Sequence, residues 1–127
     1  MGEKSNLEIV QLLYDSFRAR DNDTAFEYLD PEIVWTGDIT GLLDLDDEYR
    51  GHEGIRRFWR QWLSAWEEIS WEMQLEKLQD GRIRALIHQR NKGRGTGIWV
   101  DQRPYVQYWT LAGGKVVRME MRWVDEE

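Results

Sequence analysis

The residues of this sequence that could carry out chemistry are few, and three of them are candidates for a role in a pocket. Tyr14 falls on a predicted first helix, Asp38 follows a short predicted strand, and Tyr108 lies within a long predicted strand. Desolvation raises the pKa of a carboxyl group toward the range of a general base, and a phenol can donate a hydrogen bond to a substrate oxygen. We therefore take Asp38 as a candidate base and the two tyrosines as candidate donors. The simpler interpretations are a turn aspartate and two structural tyrosines.

A helix near the middle of the chain must help to position these groups. The segment 49–66 reads YRGHEGIRRFWRQWLSAW, and its apolar residues recur at intervals of three and four from Ile55 onward. That spacing predicts an amphipathic helix over Tyr49–Trp66. Trp59, Trp62 and Trp66 fall on one face, and each can bury on the order of 200 Å². A helix with so much aromatic surface on one side requires a broad, concave partner.

The second half of the chain predicts that partner, because its hydrophobic period changes to two after about residue 70. Apolar and polar residues alternate over 71–76, 83–88 and 117–123, and a long strand is predicted over 98–111 with an interruption at Pro104. Asp80-Gly81 is a strong hairpin signal. Two short helices precede these strands, the first announced by a capping box at Ser5 and Glu8. The order predicts an α+β fold in which a curved antiparallel sheet wraps around the long helix and the N-terminal helices cover the cavity.

Such a cone-shaped barrel would enclose a pocket for a small, mostly apolar molecule. Strand parity and helical spacing predict which side chains face it. We expect Asp38, Tyr14 and Tyr108 to be among its few polar groups, together with Gln89 at the mouth. The remaining predicted ligand-binding residues are large and apolar: Phe17, Trp35, Trp59, Trp62, Met119, Met121 and Trp123.

Composition limits the functional classes. The 127 residues suit a single domain over 1–127, and the formal net charge of −7 argues against a nucleic-acid partner. The sequence has no cysteine, no apolar run long enough to cross a membrane and no signal-peptide core, so we expect a cytoplasmic protein. The acidic run 44–48 lacks the glycine and the glutamate of a calcium-binding EF-hand, so no metal and no cofactor are predicted.

Several segments together resemble a known family. They are the Y-x-x-F pattern of the first helix, LDPEIVW, the tryptophan-rich segment 49–66, and the ending YWTLAGGKVVRMEMRW. The chain resembles the SnoaL-like branch of the nuclear transport factor 2-like superfamily, whose relatives include ketosteroid isomerases and polyketide cyclases. The resemblance implies a cone-shaped α+β barrel and a homodimer, but no single activity, because this fold carries many functions.

The catalytic carboxylates of those relatives are mostly replaced here. By resemblance, the isomerase base falls at Thr36, the acidic oxyanion donor at Val106, and the cyclase aspartate at Met121. The isomerase tryptophan near the end of the last strand is kept as Trp123. Apolar walls are therefore retained, while Asp38 is left as the plausible base.

Two functional interpretations remain open from the sequence. The first is a cofactor-independent enzyme that isomerises, cyclises or hydrates a small apolar substrate by acid/base chemistry. The second is a non-catalytic protein that binds a small ligand in the same pocket. For the homodimer, parity places Tyr105, Gln107 and Trp109 on the outer face of the sheet, with Trp99 beside them, as an aromatic interface.

Overall fold

The first two helices are capped at their N-termini by hydrogen bonds to side chains close in the sequence. A computed structural model describes residues 4–37 and 48–126 of the protein. Helix α1 spans Asn6–Arg18, and its predicted capping box is present: Glu8 N donates to Ser5 Oγ at 3.1 Å, and Ser5 N donates to the Glu8 carboxylate at 3.1 Å. Helix α2 spans Asn22–Glu27.

The long central helix, α3, is shorter than predicted at both ends. It spans Gly51–Ala65, while Tyr49 belongs to strand β2, Glu48–Arg50, and Trp66 opens strand β3, Trp66–Lys77. Gly51 makes the change from strand to helix with a φ of 68°, a conformation that favours glycine. Among the described residues, no helix has the length and apolarity that crossing a membrane requires.

The strands form one curved, open sheet that follows the predicted α+β arrangement. The order of neighbouring strands across the sheet is β2-β1-β7-β6-β4-β3, and a short strand, β5, pairs with the end of β4. Strands β1 and β7 are parallel, and the other pairs are antiparallel. The long predicted strand is interrupted before Pro104, as expected of proline, and continues as β6. The remaining bounds are β1 Leu29–Gly37, β4 Ile83–Gly93, β5 Trp99–Asp101, β6 Tyr105–Ala112 and β7 Lys115–Trp123.

Helix α3 packs its apolar face into the concave side of this sheet. Phe58 and Trp62 are buried, and the ring of Phe58 lies 5.1 Å from that of Trp35 on β1. Trp59 is partly buried, with its ring 5.0 Å from Phe17 on α1. The tryptophan face therefore meets the sheet, as the periodicity predicts, and it also contacts the first helix.

One strand faces the opposite way from the prediction. A hairpin without interruption from the Ala112–Lys115 pair would place Tyr108 opposite Met119. A register shift between Thr110 and Leu111 instead pairs Trp109 with Met119. Directly paired residues lie on the same face, so one irregularity turns over every side chain of β6 that precedes it in the chain.

The prediction that Tyr108 faces inward is therefore wrong, as is the predicted outer aromatic patch. Trp109 and Tyr105 are 1% and 4% exposed and lie inside the cone. Tyr108 lies on the other face, where the guanidinium of Arg82 lies 5.1 Å from its ring centre. Trp99 is 38% exposed on β5. The homodimer itself stays a prediction, but without its aromatic interface on β6.

Candidate functional site

A small cavity lies between the helices and the concave face of the sheet. Its volume is about 30 Å³, enough for roughly two water molecules at 10–15 Å³ each. Aromatic rings dominate its walls, and its polar side chains come from α1, β4 and β6. The cavity is lined by Tyr14, Phe17, Trp35, Phe58, Trp59, Trp62, Trp71, Ile87, Gln89, Tyr105, Gln107, Trp109 and Met121.

The first polar group of the cavity joins α1 to β6. Trp109 Nε1 donates to the Tyr14 hydroxyl at 3.0 Å, and that hydroxyl donates to Oε1 of Gln107. An indole nitrogen can only donate, so the Tyr14 oxygen accepts from Trp109 and its own proton is available for Gln107. In this arrangement the amide oxygen of Gln107 points toward Tyr14. The Nε2 donor of Gln107 has no hydrogen-bond partner among the residues that the structure describes.

The second polar group crosses β3, β4 and β6. Trp71 Nε1 donates to Gln89 Oε1 at 2.9 Å, and the hydroxyl of Tyr105 donates to the same oxygen. Gln89 Nε2 then donates to Asn91 Oδ1 at 2.7 Å. All the hydrogen-bonding atoms of Gln89 are thus engaged on the protein side. Gln89 is held in place as part of the wall, deeper than the mouth position predicted for it.

Three side chains that line the cavity carry hydrogen-bond donors without an acceptor among the described residues. The indole N–H groups of Trp35 and Trp59 are buried without an acceptor in the described part of the chain. With Nε2 of Gln107 they make three donors on side chains that line one cavity. A buried donor without an acceptor costs about 1–3 kcal/mol. An oxygen atom supplied by a ligand would reduce that cost.

The phenols in this site are neutral at ordinary pH. Burial raises the pKa of Tyr14 well above its usual range, and the hydrogen bond from Trp109 lowers it only in part. Burial raises the pKa of Tyr105 as well, against a smaller lowering by Trp71. Neither tyrosine is suited to act as a base. The described lining contains no carboxylate or histidine, and Asp38 lies outside the described residues.

A wider vestibule adjoins the cavity. It has a volume of about 330 Å³ and shares Phe17, Trp59 and Trp71 with the cavity wall. The rings of Trp59 and Trp71 meet edge to face at 5.9 Å, so they stand between the two spaces. The other residues around the vestibule are Arg18, Arg20, Asn22, Leu63, Glu68 and Ile69. A mixed aromatic and charged entrance thus leads to an aromatic interior.

The structure brings together most of the residues selected from the sequence. Seven of them line the cavity: Tyr14, Phe17, Trp35, Trp59, Trp62, Gln89 and Met121. Met119 is buried in the core, where it pairs with Trp35 on β1 and with Trp109 on β6. It is not part of the cavity wall. Trp123 packs edge to face on Tyr105 at 6.5 Å, with the guanidinium of Arg103 at 4.5 Å from its ring, and is also outside the wall.

Sequence reasoning missed several residues of the site. Trp71 and Ile87 had the inward parity but were assigned only to strands. Tyr105, Gln107 and Trp109 were placed on the wrong face by the undetected register shift. Phe58 was assigned only to the apolar face of α3. The described ranges contain no group of three histidine, aspartate or glutamate side chains that could hold a metal ion.

The fold is similar to that of nuclear transport factor 2-like proteins of known structure. A protein of that type and unknown function from Burkholderia pseudomallei has a TM-score of 0.80 and 22% identity, over 97% of this chain and 92% of that one. TerC, crystallised with polyporic acid, also has a TM-score of 0.80 and 22% identity, over 95% and 92%. A candidate SnoaL-like polyketide cyclase from Mesorhizobium loti has a TM-score of 0.65 and 18% identity, over 91% and 97%.

The sequence gives a more specific assignment than the fold. A model of the SnoaL-like domain matches residues 10–119, which is most of the chain. The chain therefore belongs to the SnoaL-like domain family. No curated protein matches the sequence.

Proposed function

We propose that this protein binds a small, flat, largely apolar molecule and holds it by an acceptor oxygen inside the cavity. The proposal rests on three hydrogen-bond donors without acceptors among the described residues: the indole N–H groups of Trp35 and Trp59, and Nε2 of Gln107. A carbonyl, ether or phenolate oxygen complements these donors, because it can accept hydrogen bonds from them. The aromatic walls suit a flat apolar body.

The size of the cavity limits how such a molecule binds. A volume of about 30 Å³ admits an oxygen atom and little more, while the vestibule has the volume of a small-ligand site. A ligand therefore occupies both spaces, with Trp59 and Trp71 moving apart around it. Trp59 is only partly buried, so its displacement disturbs the core less than that of a fully buried ring. That TerC was crystallised with polyporic acid supports a small-molecule role for this fold.

The test compares two probes that differ in one atom group. 2-Acetonaphthone carries a carbonyl oxygen where 2-isopropenylnaphthalene carries a CH₂ group of similar shape. Calorimetric titration should give an affinity about tenfold higher for the ketone, since an acceptor satisfies donors that are otherwise unpaired. Gln107→Met should reduce this preference to about threefold or less. Gln74→Met, at an exposed position of β3, is the matched control and should keep the preference.

Two outcomes contradict the proposal. One is equal affinity of the wild-type protein for both naphthalenes, and the other is no binding of either. Thermal unfolding of Gln107→Met checks that the variant is folded, because Tyr14 loses its acceptor in it. Trp35→Phe, which removes one indole donor and leaves Gln107 in place, provides a second measurement if the first variant unfolds.

Acid/base catalysis is the second candidate, and one observation favours it. Gly37, the last residue of β1, pairs with the cavity residue Met121. The next residue is Asp38. In this version Asp38 is the base, and Nε2 of Gln107 polarises the substrate oxygen in place of Tyr14, whose proton is engaged. Asp38→Asn should then lower turnover on a substrate found by screening about 10²–10⁴-fold, whereas unchanged turnover would exclude Asp38 as the base.

A further inference from the structure

The mouth of the vestibule carries a cation that no other described group neutralises. Two arginines, Arg18 and Arg20, lie around the vestibule with one acid, Glu68. Arg18 lies 3.9 Å from Asp15 and donates to the Trp71 carbonyl at 3.3 Å. Glu68 lies 3.9 Å from Lys92. Arg20 makes no side-chain hydrogen bond or ion pair within the described ranges. The vestibule is thus locally basic in a protein whose net charge is −7.

Arg20 also occupies a backbone position that ordinarily belongs to glycine. Its φ is 61°, and no other non-glycine residue among those described has a positive φ. It follows the C-terminal end of α1, where Asp21 N donates to Ser16 O at 2.8 Å and Arg20 N donates to Phe17 O at 3.1 Å. This pair of hydrogen bonds defines the Schellman motif, in which the residue with left-handed backbone conformation is usually glycine. A strained conformation kept by a charged residue at a cavity mouth points to a functional side chain.

We infer that Arg20, assisted by Arg18, binds the carboxylate of an amphipathic aromatic acid whose aromatic body enters the cavity. This inference rests on the proposed function and adds the charge of the ligand to it. The three residues shared by the cavity and the vestibule, Phe17, Trp59 and Trp71, form a continuous aromatic path between the two ends. A flat acid placed along this path puts its carboxylate at the arginines and its far end at the buried donors. Arginine suits this role because its planar fork matches a carboxylate with two hydrogen bonds.

The inference specifies a class of ligand and excludes others. Long-chain and branched apolar molecules without charge would leave Arg20 unpaired. Cationic amphiphiles would meet two arginines at the mouth. Aromatic acids with an oxygen acceptor at the end opposite the carboxylate satisfy both ends of the path.

The experiment uses a probe that addresses both ends, 6-acetyl-2-naphthoate, and its primary carboxamide, which has the same shape without the charge. Calorimetric titration of the full chain should give an affinity about tenfold higher for the carboxylate at low salt. Arg20→Gln should bring the two affinities within about threefold. Arg122→Gln, on the other face of the sheet at an exposed position, is the matched control and should keep the preference. Raising the ionic strength to about 0.5 M should weaken the carboxylate selectively, since the pair is exposed to solvent.

The possible results separate this inference from the proposed function. Equal affinity for carboxylate and amide, with the ketone preference of the naphthalene pair intact, overturns the inference alone. A carboxylate preference that survives Arg20→Gln and Arg18→Gln also overturns it, because another cation is then responsible. Absence of binding by every probe contradicts both. A preference lost in Arg20→Gln and kept in Arg122→Gln supports the assignment of Arg20.

Discussion

At the scale of single residues, two tryptophans decide what the cavity presents to a ligand. The amide groups of Gln107 and Gln89 could each point either way if only their own geometry mattered. Trp109 and Trp71 remove that freedom, because an indole N–H donates and cannot accept. The acceptor side of each amide is consequently turned toward the protein. What Gln107 leaves for a ligand is its Nε2 donor, and the proposed preference for an oxygen acceptor rests on that donor.

Arg20 provides a residue-scale prediction in which stability and binding change in opposite directions. Arg20→Gly removes the steric cost of a side chain at φ 61°. The free energy of unfolding should therefore rise by about 0.5–1 kcal/mol, less any loss of a favourable charge at the helix C-terminus. Urea unfolding measures this change. The same variant should lose the preference for a carboxylate probe.

The control for that prediction is the neighbouring arginine. Arg18 lies inside the last turn of α1, where glycine is unfavourable, so Arg18→Gly should lower stability by about 0.5–1 kcal/mol. If Arg20→Gly is instead less stable than the wild-type protein, the side chain of Arg20 stabilises the fold. The strain argument for its function would then fail.

At the scale of elements, the irregularity in the β6–β7 hairpin is the feature that builds the site. The shift between Thr110 and Leu111 turns Gln107 and Trp109 toward the helices. Without it, Val106 and Tyr108 would face the cavity, and Tyr14 would lose both of its hydrogen-bond partners. A single extra residue in one strand therefore replaces a wall of Val106 and Tyr108 with a wall of Gln107 and Trp109.

Paired truncations test this register. Trp109→Ala should cost about 3–5 kcal/mol of stability, because a buried indole and its hydrogen bond to Tyr14 are lost. Tyr108→Ala should cost about 1 kcal/mol, mainly through the contact with Arg82 on the outer face. Urea unfolding of both variants gives the comparison. Similar losses for the two, or a larger loss for Tyr108→Ala, would contradict the observed register.

At the scale of the whole molecule, the buried phenols link global stability to pH. Tyr14 and Tyr105 both have a raised pKa, with burial as the main cause. Below about pH 10 both groups are neutral in the folded and unfolded chains and produce no pH dependence. Above it the phenols of the unfolded chain ionise while the buried ones stay neutral, so the unfolded state is favoured.

The free energy of unfolding should therefore fall as the pH rises above about 10, by about 1.4 kcal/mol per pH unit for each of the two tyrosines. Urea unfolding at several values between about pH 9 and pH 11.5 measures the slope. Tyr14→Phe should reduce this slope by the contribution of one tyrosine. At neutral pH the same variant should lose about 1–3 kcal/mol of the free energy of unfolding, because the Gln107 oxygen is left without its donor. An unchanged slope in that variant would show that Tyr14 ionises in the folded protein.

Much of the architecture follows from the sequence alone. The spacing of apolar residues in α3, the alternation in β3, β4 and β7, and the capping box of α1 are local patterns that survive in the folded chain. They predict the α+β class, the packing of the tryptophan face and seven of the cavity-lining residues. Local patterns succeed here because burial of one face is specified by which residues recur along each element.

The tertiary structure decided the face of β6 and, through it, the chemistry of the site. Tyr105–Trp109 is apolar or amphipathic on both faces, so alternation does not reveal which side is buried. The choice is made by pairing with β7, where Met119 and Met121 must face inward and their charged neighbours outward. That constraint acts between strands and places a one-residue shift in the hairpin, which the spacing within either strand does not record. Gln107 and Trp109 consequently became cavity residues through packing against Tyr14, a residue 93 positions away from Gln107 in the chain.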